Sequence, residues 1–467
     1  MKKGDRVRWI LLSGLMLAMH PVPACADEDP KAEYEERLAK LDLAAGPEGH
    51  KNLASWCRRN YPSKYGYHQR EYNKHVFAGL EAKLPAKPAA ASYQELREAA
   101  AKLELPDQEK KYLGLWAELK FAEHQKRLKP DDLAMMKQLF KWCEDQKVTF
   151  IGPATQLGES ILELEPAYLP VRHALGHVEW EGGWMAREKL INETIDIRSV
   201  QDRIKAHRAL AEGRNKIERD YPARPFDGMD ELGSMYAFRP RKSPDALFYV
   251  SAPGYSSRKA SALVLSLHGG GSGGFEKADE YAKIALGEWT KQEGYVAVSP
   301  VATNHNVNSW GTTSNVLEIL DALEEVCERF HIDRKRIYVT GQSMGGGGTT
   351  LWYLCFPEFA AASCGRAGWF HHVKRQEDLL GKPMLIIQGA KDEPDRLDSR
   401  LKFIKTAEAC GGKLEVLVHN NIDHFIPQTV VFEAMLPYFE KHQNDIEPDF
   451  DVIRAAAKSW ITWNGPK

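Results

Sequence analysis

The stretch Gly341-Gln342-Ser343-Met344-Gly345 decides the fold expected for this chain. It follows the apolar run Ile337-Tyr338-Val339-Thr340 and precedes small residues, 346–350, that can begin a helix. A G-x-S-x-G sequence between a strand and a helix is typical of the sharp turn that holds a nucleophilic serine above a sheet. The glycines let the backbone take this strained turn without a clash at Cβ. The pattern predicts that Ser343 is a nucleophile.

Short apolar segments surround this turn from residue 247 onward, and helical segments such as 315–330 lie between several of them. Near-continuous apolar strands that alternate with helices are typical of a parallel sheet covered on both faces. We therefore predict an α/β fold with a mostly parallel central sheet. The predicted strands are 247–250, 262–267, 295–298, 337–340, 359–362, 383–387 and 414–418.

A second glycine-rich stretch, Leu267-His268-Gly269-Gly270-Gly271, ends an earlier predicted strand. Glycines there let backbone N–H groups approach a substrate oxygen, as in an oxyanion loop. The predicted oxyanion donors are the N–H groups of Met344 and of Gly270 or Gly271.

A serine nucleophile also needs a base and an acid that orients the base, in the chain order Ser, then Asp or Glu, then His. Asp392 follows the strand at 383–387, and His424 follows the strand at 414–418. Parallel sheets gather their catalytic groups at these carboxyl ends of strands. Asp392 and His424 are therefore predicted to form a triad with Ser343. The alternatives are Glu393, Asp395 and Asp398 for the acid and His419 for the base.

Residues 27–225 are rich in Ala, Leu, Glu and Lys and show apolar positions at helical spacing. They predict an all-α helical domain before the sheet. A Pro/Gly-rich connection at 221–244 predicts the boundary. The α/β catalytic domain is then 245–443, and 444–467 is a C-terminal tail.

Two patterns in the helical half are assigned to packing. Trp56-Cys57 recurs as Trp142-Cys143, and packing is favoured over a disulfide between the two cysteines. His173 and His177 have the spacing of metal ligands, but Ala174 stands where the H-E-x-x-H motif needs glutamate. We predict a small turn or hairpin at 175–184 instead.

Residues 1–26 have a basic start, an apolar run at 9–19 and the small-residue site Ala24-Cys25-Ala26. This arrangement is typical of a secretory signal peptide, and the run is too short to span a bilayer. We predict a periplasmic or secreted protein, with a lipid anchor at Cys25 as the alternative.

Charge and cysteine content exclude several classes of function. The net charge is −2, and no basic tract suggests nucleic-acid binding. No later apolar stretch approaches the length of a membrane span. Seven cysteines include no C-x-x-C pair, so we expect no metal site, and the triad chemistry calls for no cofactor.

Residues 245–440 resemble the α/β-hydrolase superfamily through the two glycine-rich stretches, Gly389-Ala390-Lys391-Asp392 and Asp423-His424. Within it they resemble secreted bacterial esterases of the feruloyl esterase, acetylxylan esterase and polyhydroxybutyrate depolymerase type, which are related to prolyl-oligopeptidase-like hydrolases. The resemblance implies a serine carboxylesterase that acts through an acyl-enzyme on small-molecule or polysaccharide esters. The alternatives are a serine peptidase and an inactive binding or scaffold protein. The helical domain resembles an accessory module and is a candidate to bind an unknown partner.

Three further side chains are predicted near the substrate pocket: His268 in the oxyanion loop, Trp310 after the strand at 295–298, and Trp369 after the strand at 359–362. Aromatic faces suit a sugar ring or a feruloyl group. Ordinary packing is the alternative.

Overall fold

The computed structural model describes residues 30–41, 47–60, 62–129, 131–215, 221–223, 225–226, 235–270, 277–302, 309–368 and 379–461. The predicted signal peptide, including Cys25, lies outside them. The chain divides into two compact units, one up to His75 and the other from Val76. None of the helices in the described ranges is both long and apolar enough to cross a membrane.

The helices and strands are named in chain order. The helical half contains α1 Pro30–Ala39, α2 Glu48–Asn60, α3 Pro62–Glu81, α4 Ala90–Lys102, α5 Pro106–Gln125, α6 Leu133–Asp145, α7 Gly152–Leu164, α8 Leu169–Ala174, β1 His177–Trp180, β2 Gly183–Ala186, α9 Arg187–Lys189 and α10 Val200–Asn215. The remainder contains β3 Tyr236–Phe238, β4 Phe248–Ser251, β5 Ser261–Leu267, α11 Ala278–Leu286, β6 Tyr295–Pro300, α12 Thr313–Arg329, β7 Ile332–Gln342, α13 Met344–Cys355, β8 Ala362–Arg366, β9 Pro383–Gly389, α14 Pro394–Ala409, β10 Lys413–His419, α15 Gln428–Glu440 and α16 Phe450–Ile461.

The first unit contains α1, α2 and α3 as far as His75. Helix α2 places Leu53 and Cys57 four residues apart on one face, and both are buried against Tyr34. Two histidines of this unit are buried side by side, with 3.0 Å between the Nδ1 atoms of His50 and His68. Cys57 is in the thiol form, and so is Cys143 in the second unit.

An eight-stranded sheet dominates the second unit, in the order β10-β9-β8-β7-β5-β6-β4-β3. Strands β5 to β10 are parallel, whereas β4 is antiparallel to β6 and β3 is antiparallel to β4. The predicted mostly parallel sheet is therefore confirmed.

The central strand β5 shows why the sheet needs helices on both faces. All seven of its residues are buried. Leu263 and Leu265 belong to the apolar cluster on one face, and Ala262 and Val264 belong to the cluster on the other. This alternation follows from the period of two in a strand, so helices must cover both faces of the sheet.

Two strands differ from the predictions. Strand β8 begins at Ala362, so the strand predicted at 359–362 was placed too early. Its sequence, Ala362-Ser363-Cys364-Gly365-Arg366, is not apolar, yet every residue is buried because β7 and β9 flank it. Strand β3 was not predicted, because three residues are too short to show a period.

The hairpin predicted at 175–184 is present as β1 and β2, which pair antiparallel. Its two-residue loop consists of Glu181 and Gly182, both at positive φ, as a type I′ turn requires. His177 lies at the start of β1, where its Nδ1 is 2.9 Å from Nη1 of Arg172. The histidine therefore contacts a cation.

The C-terminal residues 450–461 were predicted as part of a tail but form α16, which packs against α12. Phe450 and Ile453 enter the apolar cluster under the sheet. Val452 points to a separate cluster that includes Leu210 of α10. The second unit therefore includes α10, which was assigned to the helical domain, together with the sheet.

Buried ion pairs connect α10 to the sheet region. Arg203 Nε donates to Glu358 Oε1 at 2.5 Å, and both side chains are buried. Asp449 forms ion pairs with Arg187 and Arg214. Burial alone would raise the pKa of Asp449, but the two guanidinium groups outweigh it and lower the pKa. These pairs fix α10 against the residues that flank β8 and α16.

The first turn of α13 approaches the ends of β5 and β8 so closely that side chains do not fit. A Cβ at Gly345 would overlap the carbonyl oxygen of Leu267, and one at Gly346 would lie 2.5 Å from that of Arg366. A Cβ at Gly348 would lie 2.5 Å from Trp310. The long glycine run therefore has a packing cause.

We predict that Gly345→Ala destabilises the protein by about 3 kcal/mol or more, because backbone cannot move aside as a flexible side chain can. Guanidinium unfolding measures this loss. Gly287→Ala is the matched control, since a Cβ there meets open space and φ is −50°. Equal midpoints for Gly345→Ala and the wild type would contradict the packing described.

We predict that Glu358→Gln lowers the free energy of unfolding by about 3 kcal/mol at pH 7, because Arg203 loses its buried counter-charge. Burial would raise the pKa of Glu358, but the charge and hydrogen bonds of Arg203 outweigh burial and hold the pKa at about 2, below the ordinary 4.5. A lowered folded-state pKa stabilises above pH 4.5, and this contribution is lost as the pH falls to about 2.

Urea unfolding at several pH values therefore checks two outcomes: a gap between wild type and Glu358→Gln at pH 7, and its closure between pH 4.5 and 2. Asp145→Asn, which removes an exposed pair with Lys141, is the control and should leave the midpoint unchanged. A gap that stays constant over that range would refute the role of the ion pair.

Candidate active site

Ser343 lies in the turn between β7 and α13. Its φ of 57° and ψ of −118° are unusual for a residue with a side chain and cost about 1–3 kcal/mol. Its N–H donates to the carbonyl of Arg366 at 2.9 Å, and its carbonyl accepts from Gly347 N at 3.0 Å. These bonds hold the serine in its strained turn at the carboxyl edge of the sheet.

Three loops bring Ser343, His424 and Asp392 together. Ser343 Oγ is 2.9 Å from His424 Nε2. His424 Nδ1 is 3.2 Å from Asp392 Oδ2. The Asp392 side chain is fully buried, and that of His424 is 22% exposed. The arrangement leaves the imidazole accessible and the carboxylate dry.

The Asp392 carboxylate has further donors around it. Gln388 Nε2 donates to Oδ2 at 2.6 Å, and the N–H of Glu393 donates to Oδ1 at 2.8 Å. Arg396 Nε lies 3.6 Å from Oδ1. Both carboxylate oxygens are therefore fixed in position, with Oδ2 directed at His424.

The alternative residues occupy other positions. Glu393 is exposed and pairs with Arg396, while Asp395 and Asp398 are exposed on α14. His419 is the last residue of β10, and its carbonyl accepts from Ala390 N. Among these candidate acids and bases, His424 contacts Ser343, and Asp392 contacts His424.

The candidate oxyanion donors come from α13 and the loop after β5. Met344 is the first residue of α13, so its N–H belongs to the first turn, where helical partners are missing. Gly270 has φ 127°, and a Cβ there would lie 2.6 Å from the Tyr281 ring. Gly271 lies outside the described residues.

His268 is the first residue of this loop, and Trp310 contacts it. Both are 1% exposed. His268 Nε2 accepts from Ala302 N at 3.1 Å, and its Nδ1 lies 2.5 Å from the carbonyl of Gly269. Trp310 Nε1 donates to the His268 carbonyl at 3.2 Å. Both side chains are therefore packed inside the protein, where their hydrogen bonds hold the loop in place, and Trp369 lies outside the described residues.

Sequence reasoning did not identify three polar side chains that hold these loops. Gln388 binds Asp392, and Gln342 Nε2 donates to the carbonyl of His424 at 3.2 Å. Arg366 is fully buried, which lowers its pKa, and its Nη1 lies 3.3 Å from Gln428 Oε1. In the sequence, these side chains could be recognised as polar residues at or next to the ends of buried strands.

This geometry is suited to acyl transfer. A hydroxyl bonded to an imidazole, whose other nitrogen faces a carboxylate, can lose its proton as it attacks a carbonyl carbon. Backbone N–H groups beside the same hydroxyl can stabilise the oxygen that becomes negative.

No protein-family model matches the chain, and no curated protein matches it. Among solved structures, a thermostable esterase is 18% identical, with 46% of this chain and 64% of that chain covered and a TM-score of 0.37. An acylaminoacyl peptidase from Pyrococcus horikoshii is 18% identical, with 48% and 44% covered and a TM-score of 0.33. A ferulic acid esterase is 14% identical, with 44% and 97% covered and a TM-score of 0.34.

These similarities are too distant to indicate an activity, and the chain spans less than two thirds of the length of the first two proteins. The fold follows from the molecule itself. A mostly parallel sheet carries a serine turn between β7 and α13, with candidate acid and base after β9 and β10. The chain has the fold of the α/β-hydrolase superfamily, as its sequence motifs predicted.

Proposed function

We propose that this chain is an exported serine hydrolase that cleaves carboxylic esters. The observation that supports it is the line of hydrogen bonds from Ser343 Oγ through His424 to Asp392, at 2.9 and 3.2 Å. Export is proposed on the signal-like residues 1–26 alone.

In the proposed first step, Ser343 Oγ attacks the ester carbonyl carbon while His424 Nε2 takes the hydroxyl proton. Asp392 Oδ2 accepts a hydrogen bond from the Nδ1–H group and stabilises the imidazolium by its negative charge. The carbonyl oxygen becomes negative and is stabilised by the N–H of Met344 and by that of Gly270 or Gly271, each donor contributing about 3–4 kcal/mol.

The tetrahedral intermediate then breaks its bond to the alcohol oxygen, which takes the proton from His424 and leaves. Ser343 carries the acyl group. Water attacks the same carbonyl carbon, gives its proton to His424 and releases the acid, and the serine recovers its proton. One ester and one water give one acid and one alcohol.

The substrates proposed are small-molecule or polysaccharide esters, through the resemblance of the motifs to secreted esterases. Residues 27–225 are proposed as an accessory domain that can bind a further partner. A serine peptidase uses the same chemistry on amides. The relative kcat/KM values for esters and peptides therefore separate these two activities.

We predict that the purified protein releases nitrophenol from p-nitrophenyl acetate and that Ser343→Ala lowers kcat at least about 10³-fold.

A fluorophosphonate probe should label the wild type at Ser343 in the periplasmic or extracellular fraction. Equal rates for wild type and Ser343→Ala would refute the mechanism. A higher kcat/KM for a short peptide than for any ester would favour a peptidase.

We predict that Gln388→Leu lowers kcat about tenfold with little change in KM, because Gln388 orients Asp392 and has no proposed contact with substrate. Steady-state kinetics on p-nitrophenyl acetate separates the two constants. Gln94→Leu, at an exposed amide that pairs with Glu98 on α4, is the control. A rise in KM at constant kcat would show that Gln388 acts on binding instead.

A further inference from the structure

Phe425 is the most exposed large apolar side chain in the described part of the chain, at 77%. The next residue, Ile426, is 4% exposed and packs in the cluster on one face of the sheet. The loop after β10 therefore buries one apolar side chain and leaves an aromatic ring in solvent. Single exposed apolar residues are common on protein surfaces, so position must decide whether this one has a role.

The ring lies directly beside the candidate base. Its centroid is 5.4 Å from that of the His424 imidazole, with an interplanar angle of 75°. The backbone beneath it is fixed, because the N–H of Phe425 donates to Asp423 Oδ1 at 2.9 Å. Such a bond is typical of an Asx turn, and it fixes the backbone from which the ring projects.

The position of His424 relative to Ser343 indicates which part of a substrate would meet this ring. His424 Nε2 must give its proton to the departing alcohol oxygen, which requires a separation of about 3 Å. The substituent on that oxygen therefore begins next to the imidazole, whose ring centroid lies 5.4 Å from that of Phe425. The acyl carbon, in contrast, bonds to Ser343 Oγ, and its oxygen faces the start of α13.

We infer that Phe425 forms a subsite for a ring on the alcohol side of the ester, an inference that rests on the proposed function. A planar aryl group can stack on the phenyl face, and a pyranose can lay its C–H face against it. Because most of the ring is open to solvent, this subsite accepts a ring that belongs to a larger molecule. The substrate class is thus acyl esters of sugars or of aromatic alcohols.

Three acetates with the same acyl group test this subsite: methyl acetate, phenyl acetate and a monoacetylated methyl xyloside. Phe425→Ala is expected to lower kcat/KM about tenfold for at least one of the two ring-bearing acetates, and about threefold or less for methyl acetate. Phe425→Trp keeps an aromatic face and should restore most of the loss. Whichever ring acetate is affected more identifies the ring as aromatic or sugar.

Phe150→Ala is the matched control, since Phe150 is 45% exposed and belongs to the helical half of the chain. It should leave all three rates as in the wild type. An equal fractional loss for all three acetates with Phe425→Ala, or no loss for any, would overturn the subsite while leaving the esterase in place. A wild-type protein that hydrolyses none of the acetates at a rate dependent on Ser343 would instead refute the proposed function.

Discussion

The candidate site depends on backbone meeting backbone at the first turn of α13. Gly345 lies against the end of β5, and Gly346 lies against the end of β8. This approach directs the Ser343 hydroxyl away from the sheet and brings the loop after β5, which carries candidate oxyanion donors, beside it. A Cβ at Gly269 would lie 3.0 Å from the Gln342 carbonyl and 3.3 Å from Ser343 Cβ. Without this contact, Ser343 and the loop after β5 would not lie side by side.

Polar contacts also hold in place the side chains that follow the ends of the strands. Asp392 would be costly to bury as a lone carboxylate, and its donors offset that cost. Farther from the site, Arg203 with Glu358 and Asp449 with its two arginines connect α10 to the sheet region. In both places, hydrogen-bond donors or oppositely charged groups surround the buried charge and offset the free-energy cost of removing it from water.

The sequence was sufficient to predict the fold and the approach of the three central residues, because both depend on local patterns. The apolar strands and the G-x-S-x-G turn are visible in short windows, and the order Ser, Asp, His follows the order of the strands. The start of β8 could not be predicted from an apolar pattern. The neighbouring strands β7 and β9 bury its residues even though several of them are polar. Gln388 and Arg203 were missed because their partners are set by tertiary packing. The sequence does not show that residues 450–461 pack as a helix, because the residues that their apolar face contacts lie on α12 and α10, far away along the chain.

The glycine run that permits the close approach also weakens the helix it begins. Each glycine in a helix interior costs about 1 kcal/mol relative to alanine, so residues 345–348 would not remain helical by themselves. Contacts with β5, β8 and Trp310 must compensate. Because these partners are distant along the chain, α13 becomes stable only when the sheet has assembled. The turn that carries Ser343, the nucleophile proposed above, therefore takes its shape only when these distant segments have come together.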